Sequence, residues 1–301
     1  MRILDAAAVT AALDLPVAIA AVRTALLDGL DPATDPARAV VPVDHGQLLI
    51  MPTQWDRYAG VKVASVAPAN PAAGLPRIQG SYLLLDGQTL APLAVLDGIA
   101  LTAIRTAAVS AVAVDALARP DAARLVVFGS GPQAHTHVTA LCAVRPVREI
   151  VVIGRDATRA AEFAAWCGPD ARVGTAADLA TADLVACCTT ARTPLFDGTL
   201  PPAHATIVAV GSHEPDAAEV DTALVARSTV VVEAVATALR EAGDVIAAVD
   251  AGLVARDALV GLAEVVCGRA SVASDRPRLF KSVGMAWEDL VLAARAHQLT
   301  G

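Results

Sequence analysis

Lysine is almost missing from this sequence: of the 23 basic side chains in 301 residues, 21 are arginine and only Lys62 and Lys281 are lysine. Aromatic residues are scarce too, at 3% against 55% hydrophobic residues overall, so Ala and Val must fill the cores of one or two globular domains. A basic excess is absent. The net charge of −8 and pI near 5.2 argue against nucleic acid or an anionic membrane as the main partner. No uncharged apolar run reaches the roughly 18 residues that a membrane span needs. Asp5 and Asp14 stand where a signal peptide requires an apolar stretch. The five cysteines form no CxxC pair, and their odd number does not suggest a disulfide framework. They read as reduced core thiols of a cytoplasmic protein. The histidines form no metal motif: His135 and His137, two apart on an expected helix, point to different faces, so no metal site is expected.

What is present falls into two textures. Residues 5–13 and 16–29 read as helices, with Pro16 opening the second. "ARAVVPVDHGQLLIMP" reads as two extended runs turning at Asp44–Gly46, and "AGVKVASV" as another strand. "IQGSYLLLDGQTLAPLAVLDG" reads as a hairpin turning at Asp86-Gly87, and residues 99–118 as a helix stopped by Pro120. From residue 124, strands at 125–129, 149–153, 183–188, 206–210 and 229–233 alternate with helices. This rhythm predicts a parallel sheet covered on both faces. From about 276 the rhythm stops, leaving a turn and an amphipathic helix that returns to the first domain. The expectation is an α/β chain. Residues 119–275 form a Rossmann-type, doubly wound parallel domain, and 1–118 completed by 276–301 form a discontinuous α+β domain.

In "LVVFGSGPQA" a strand runs into Gly129-x-Gly131-x-x-Ala134 and then a helix. Gly129 permits the sharp turn, Gly131 lets the backbone approach a pyrophosphate, and small Ala134 allows close helix packing. With "REIVVIGRD" supplying the next strand, this context supports dinucleotide binding. That strand ends at Gly154-Arg155-Asp156. Arg155 can pair with a 2′-phosphate, which favours NADP, while Asp156 keeps NAD possible.

A chain this rich in arginine has a reason to keep a lysine, namely a compact ammonium whose pKa can move. Lys62 alternates with Val61 and Val63 and shares its face with Ala64 and Val66, so it is either a snorkelling edge residue or part of a cleft. Arg105 is the only charge in "IALTAIRTAAVSAVAV", with no carboxylate three or four residues away. A buried, unpaired guanidinium costs several kcal/mol. Its counter-ion is either a distant Asp or Glu or, the favoured expectation, a ligand anion. Tyr58-x-x-x-Lys62 matches the dyad of short-chain dehydrogenases but precedes the glycine turn and lies on a strand, so it is discounted.

These pieces in this order resemble the ornithine cyclodeaminase/mu-crystallin family. The likeness runs through "GVKVASVAPANPAAGLPRIQGSYLLLDGQTLAPLAVLDG", "LTAIRTAAVSAVAVDALARPDA", "VVFGSGPQA", "VAVGSHEPDAAEVD", "EAGD" and "LFKSVGMAWEDL". The resemblance implies a first domain that binds substrate and forms a homodimer, and a middle domain that carries NAD(P). It implies that Arg38 and Arg105 clamp a substrate carboxylate with Lys62 beside the reacting carbon, and that Arg105 also touches the cofactor. Gly129, Gly131, Pro132, Gln133 and Ala134 would lie at the pyrophosphate, with Arg155, Thr189 and Thr190 toward the adenosine half. Val210, Gly211, Ser212, Lys281 and Ser282 would lie toward the nicotinamide, and Val283 at the substrate.

One departure matters. Ornithine cyclodeaminases place an aspartate in the loop that here reads "VGSHEPDAAEVD", and His213 takes that position. His213 is either an acid–base group or a simple loop residue. The resemblance therefore implies an NAD(P)H-dependent imine (ketimine) reductase, or amino-acid dehydrogenase. Its substrate would be a small amino-acid-derived carboxylate such as Δ1-pyrroline-2-carboxylate or Δ1-piperideine-2-carboxylate. The alternatives are an ammonia-releasing ornithine cyclodeaminase and a non-catalytic, mu-crystallin-like ligand-binding protein.

Overall fold

The structure, a computed structural model, describes residues 1–301. The chain divides into two compact units: Met1–Thr106 with Met285–Gly301, and Ala107–Gly284. The sequence placed these boundaries at 118/119 and 275/276. Pro120 marks the end of a helix, not the change of unit, because the helix Gly98–Leu117 runs through the boundary unbroken. That helix is long and apolar enough by composition to cross a membrane, yet 67% of its apolar stretch lies inside the protein, as in a core helix.

The first unit is built on a six-stranded sheet. In spatial order its strands are Arg2–Leu4, Pro92–Asp97, Ile78–Asp86, Tyr58–Val66, Gly46–Trp55 and Ala39–Val43. The first pair is parallel and the others are antiparallel. Asp5 and Asp14 each accept a backbone N–H as N-caps of the helices Ala6–Ala12 and Leu15–Leu27. The turn after Asp86 is wider than the two-residue form expected. The Asp86 carboxylate accepts from the amides of Gln88 and Thr89, and pairing resumes at Pro92.

Strand alternation sorts the sheet into two faces. One row crosses five strands as Leu4, Leu96, Tyr82, Lys62 and Met51, all buried. The opposite face carries Ile3, Val95, Leu83, Val61, Val63 and Val41, each exposed or half-buried. The helix Ala286–Leu299 packs on the strands Gly46–Trp55 and Tyr58–Val66. It is not the amphipathic helix expected: every residue from Ala286 to Ala294 is buried, Glu288 and Asp289 completely. The acids turn inward because buried cations meet them.

The second unit holds an eight-stranded, all-parallel sheet. Its order is Val260–Gly261, Thr229–Val232, Arg278–Lys281, Thr206–Ala209, Leu184–Cys187, Arg124–Phe128, Glu149–Ile153 and Ala171–Val173. Chain order reverses on either side of Arg124–Phe128, the switch point at which doubly wound sheets bind ligands. Arg278–Lys281 corrects the sequence reading, which had the rhythm stop before it. The strand is only four residues long, and it inserts late into the sheet's interior, so no local periodicity announces it. Val126, Phe128, Val185, Ile207, Val232 and Leu279 anchor the core of this unit. Each such side chain fully removed from water contributes about 1.5–3 kcal/mol.

Candidate active site and nucleotide-binding turn

In the first unit, Lys62 is 4% exposed and directs its ammonium at Asp289, with Nζ 3.2 Å from both carboxylate oxygens. Burial draws the Lys62 ammonium down to about 8. Asp289 opposes this shift and Arg105 adds to it. Arg105 corrects the sequence reading: its Nη1 donates to Glu288 at 2.5 Å, and its Nε lies 3.6 Å from Asp289. Its resting counter-ion is thus a distant acid pair of the protein, the alternative that the sequence placed second. Two adjacent carboxylates on one helical turn neutralise two cations from separate elements. Removing either partner of such a pair costs about 3–5 kcal/mol, so the network fixes the register of the C-terminal helix.

Two more groups complete this cluster. Asp35 accepts from the Thr53 hydroxyl and, at 2.7 Å, from the amide of Trp287 near the start of the C-terminal helix. Burial pushes its carboxyl up to about 6 against these hydrogen bonds, and Asp289 adds to the rise. Asp35 thereby anchors the segment that leads to half-buried Arg38. Tyr82, the cross-strand neighbour of Lys62, is fully buried, and its hydroxyl has no hydrogen-bond partner. Gly60 makes room for it, since a Cβ there would lie 2.3 Å from the Tyr82 hydroxyl.

In the second unit the glycine turn follows the strand Arg124–Phe128. Gly129 adopts φ +106°, and a Cβ would lie 2.5 Å from the Cys188 carbonyl oxygen, so only glycine fits. Gly131 is different: a Cβ there would meet nothing within 4 Å. It N-caps the helix Pro132–Val144 without a side-chain hydrogen bond, and Pro132 has no N–H, which leaves the amides of Gln133 and Ala134 to a ligand. The buried Gln133 Oε1 also has no partner. An open, uncapped helix start at the switch point fits a dinucleotide pyrophosphate. Arg155 and Thr190 are exposed, and the Asp156 carboxylate is occupied as the N-cap of the helix Ala157–Cys167.

Glu219, which the sequence reading missed, gathers the next two strand ends. Its buried carboxylate accepts from Thr189 N at 2.8 Å, Thr189 Oγ1 at 2.7 Å and Gly211 N at 2.6 Å. This brings Thr189, Val210, Gly211 and Ser212 together. Behind them, Asp244 accepts from the amides of Glu219 and Val220. Lys281 is fully buried, 3.0 Å from Asp244, and donates to the Ser212 carbonyl. Lys281 was expected to touch the cofactor; its ammonium instead holds the Ser212 loop from within. Ser282 is likewise committed, with its hydroxyl on Glu233, which also accepts from the amides of Val283 and Gly284. His213 is half-buried in the following loop, where Glu214 and Asp216 both turn onto Arg192. His137 is a satisfied core histidine, between the Gln133 carbonyl and the Ser110 hydroxyl.

The acid pair was detectable in principle. "MAWEDLVLAARA" places Glu288 and Asp289 in an apolar run, as Arg105 stands alone in its own, so each run holds what the other lacks. Asp35, Glu219 and Asp244 lie in polar loop or helix contexts and give no such signal, whereas Glu233, the only charge in "STVVVEAVATAL", carries the same one.

The chain is similar to known proteins along most of its length. The Δ1-pyrroline-2-carboxylate reductase of Colwellia psychrerythraea is 34% identical over 261 residues, covering 83% of each chain. The ketimine reductase mu-crystallin of Mus musculus is 34% identical over 264 residues, covering 86% of this chain and 82% of the relative. The structure of the Thermococcus litoralis Δ1-pyrroline-2-carboxylate reductase in complex with NADH and L-proline superposes with a TM-score of 0.93 at 32% identity. It covers 100% of this chain and 97% of that one. The model of the ornithine cyclodeaminase/mu-crystallin family matches residues 2–298, and the chain therefore belongs to that family.

Proposed function

We propose that the chain is an NAD(P)H-dependent imine reductase acting on a small cyclic imino acid such as Δ1-pyrroline-2-carboxylate or Δ1-piperideine-2-carboxylate. The observation that carries this reading is Lys62, a buried ammonium drawn down to about 8 and able to give up a proton near neutral pH. The relatives' names supply the substrate class. Arg38 holds the substrate carboxylate, assisted by Arg105, and Lys62 faces the imine nitrogen. Val283 lines the substrate side, and His213 is a second acid–base candidate. Gly129, Gly131, Pro132, Gln133 and Ala134 receive the pyrophosphate. Thr190 serves the adenosine half, and Thr189, Val210, Gly211 and Ser212 serve the nicotinamide side. When bound, the dinucleotide supplies the hydride. The protein's own share is positioning and one proton. The test follows absorbance at the nicotinamide band with both cyclic imines and both dinucleotides. Oxidation of NAD(P)H with at least one imine is expected, and none with any imine would remove the proposal.

Arg155 favours NADPH. It stands exposed beyond the strand Glu149–Ile153, while Asp156 spends its carboxylate on capping rather than on a ribose. Arg155→Ala should raise KM for NADPH about tenfold, the loss of roughly one charge-assisted contact, and leave KM for NADH unchanged. Equal changes for both would assign Arg155 elsewhere.

The uncovered apolar sheet face of the first unit, with Ile3, Val61, Val63 and Leu83, suits burial against a second copy. Light scattering should return twice the chain mass, and Val63→Glu should return it once; a monomeric wild type would overturn the dimer. The five cysteines are all free thiols, which suits a cytoplasmic enzyme. Cyclodeamination is the weaker reading, because both acids beside His213 are paired with Arg192. Ammonia release from ornithine would favour it. The Lys62 cluster also argues against a purely binding role.

A further inference from the structure

We propose that Asp289 is the positioning residue for Lys62, holding the ammonium in place and charged until its proton passes to the substrate nitrogen. This rests on the imine-reductase reading. The geometry is specific: both Asp289 oxygens lie 3.2 Å from Nζ, and Asp289 is fully buried, so no water competes for the pair. The same carboxylate has Arg105 Nε at 3.6 Å. Glu288 takes the other side of Arg105 and keeps that guanidinium from collapsing onto Asp289 alone.

Every element packed against Lys62 contributes to this balance. Asp289 and Glu288 come from the C-terminal helix and Arg105 from the helix Gly98–Leu117. Tyr82 and Met51 are its uncharged neighbours on the two flanking strands. Asp35, with its Thr53 and Trp287 contacts, faces Asp289 from the segment before the first hairpin. Burial and Arg105 pull the ammonium toward neutrality, and Asp289 is the largest influence against them. Without Asp289, Lys62 would reach the reaction already deprotonated.

The step balances. Hydride from the reduced nicotinamide adds to the imine carbon, and the C=N π pair moves to nitrogen. That nitrogen takes a proton from Nζ as the Nζ–H bond breaks. The product is the cyclic amine with the oxidised dinucleotide. Lys62 is left neutral beside Asp289 and regains its proton from water.

The presence of only two lysines makes the test direct. Full-length protein grown on lysine labelled with carbon-13 at Cε shows two side-chain resonances, and Lys281 serves as the internal reference. In the wild type one resonance should titrate near 8. In Asp289→Asn the midpoint should fall by about one unit or more, and the basic limb of the kcat/KM profile should fall with it, while the Lys281 resonance stays put. If Asp289→Asn does not fold, Asp289→Glu keeps the charge but moves it off Nζ, and a smaller downward shift is expected. An unmoved Lys62 midpoint in whichever variant folds overturns the proposal, even if the wild type reduces imines. A shifted midpoint in a protein that reduces no imine would overturn the functional reading and leave the Asp289–Lys62 coupling standing.

Discussion

Replacing Lys62 with alanine should lower kcat for cyclic-imine reduction by about 10²–10⁴-fold, the usual contribution of a positioned general acid, and leave the affinity for NADPH intact. The reason lies in where Lys62 sits. It belongs to the buried row Leu4, Leu96, Tyr82, Lys62, Met51 of the first unit, while the glycine turn belongs wholly to the second. The substitution therefore removes the proposed proton donor and changes no residue of the turn. It also strips Asp289 of one of its two cations, but Arg105 remains 3.6 Å away, so the carboxylate is not left alone in the interior. Lys62→Met fills the same space without the charge and separates packing from chemistry. Both variants should bind NADPH as the wild type does in a fluorescence titration. Turnover within about threefold of wild type in a folded variant would clear Lys62 of proton transfer.

The parts of the molecule that sequence reading reached share a physical cause. Gly129 is needed for a φ of +106° and a carbonyl 2.5 Å from where a Cβ would be, and such demands leave a local trace. The sheet of the second unit announces itself in the same way, as apolar runs spaced by helices. Lys62 stood out because the chain otherwise chooses arginine. Arg105 stood out because its helix is otherwise uncharged, but the sequence could not say what it meets. Its partners lie 183 and more residues away, far beyond the reach of helical spacing. The strand Arg278–Lys281 escaped for a similar reason: its neighbours, Thr206–Ala209 and Thr229–Val232, come from earlier in the chain, and four residues carry no period. Lys281 was placed at the cofactor only by the family resemblance; within the sheet it is an interior cation.

That relocation makes the second large prediction. Lys281→Met should destabilise the second unit by about 3–5 kcal/mol, because it leaves Asp244 buried without its cation. Asp244 is not spare: it accepts from the amides of Glu219 and Val220, and Glu219 in turn holds Thr189 and Gly211. The disturbance should therefore spread along this chain of contacts to the Ser212 loop, whose carbonyl also loses its donor. A direct cofactor contact predicts something else, namely weaker NADPH binding at unchanged stability. Urea unfolding measures the first and fluorescence titration the second. Adding Asp244→Asn should return part of the lost stability, since the amide still accepts from both backbone N–H groups and no longer strands a charge. A Lys281→Met protein that unfolds at the wild-type urea concentration but binds NADPH poorly would return Lys281 to the cofactor.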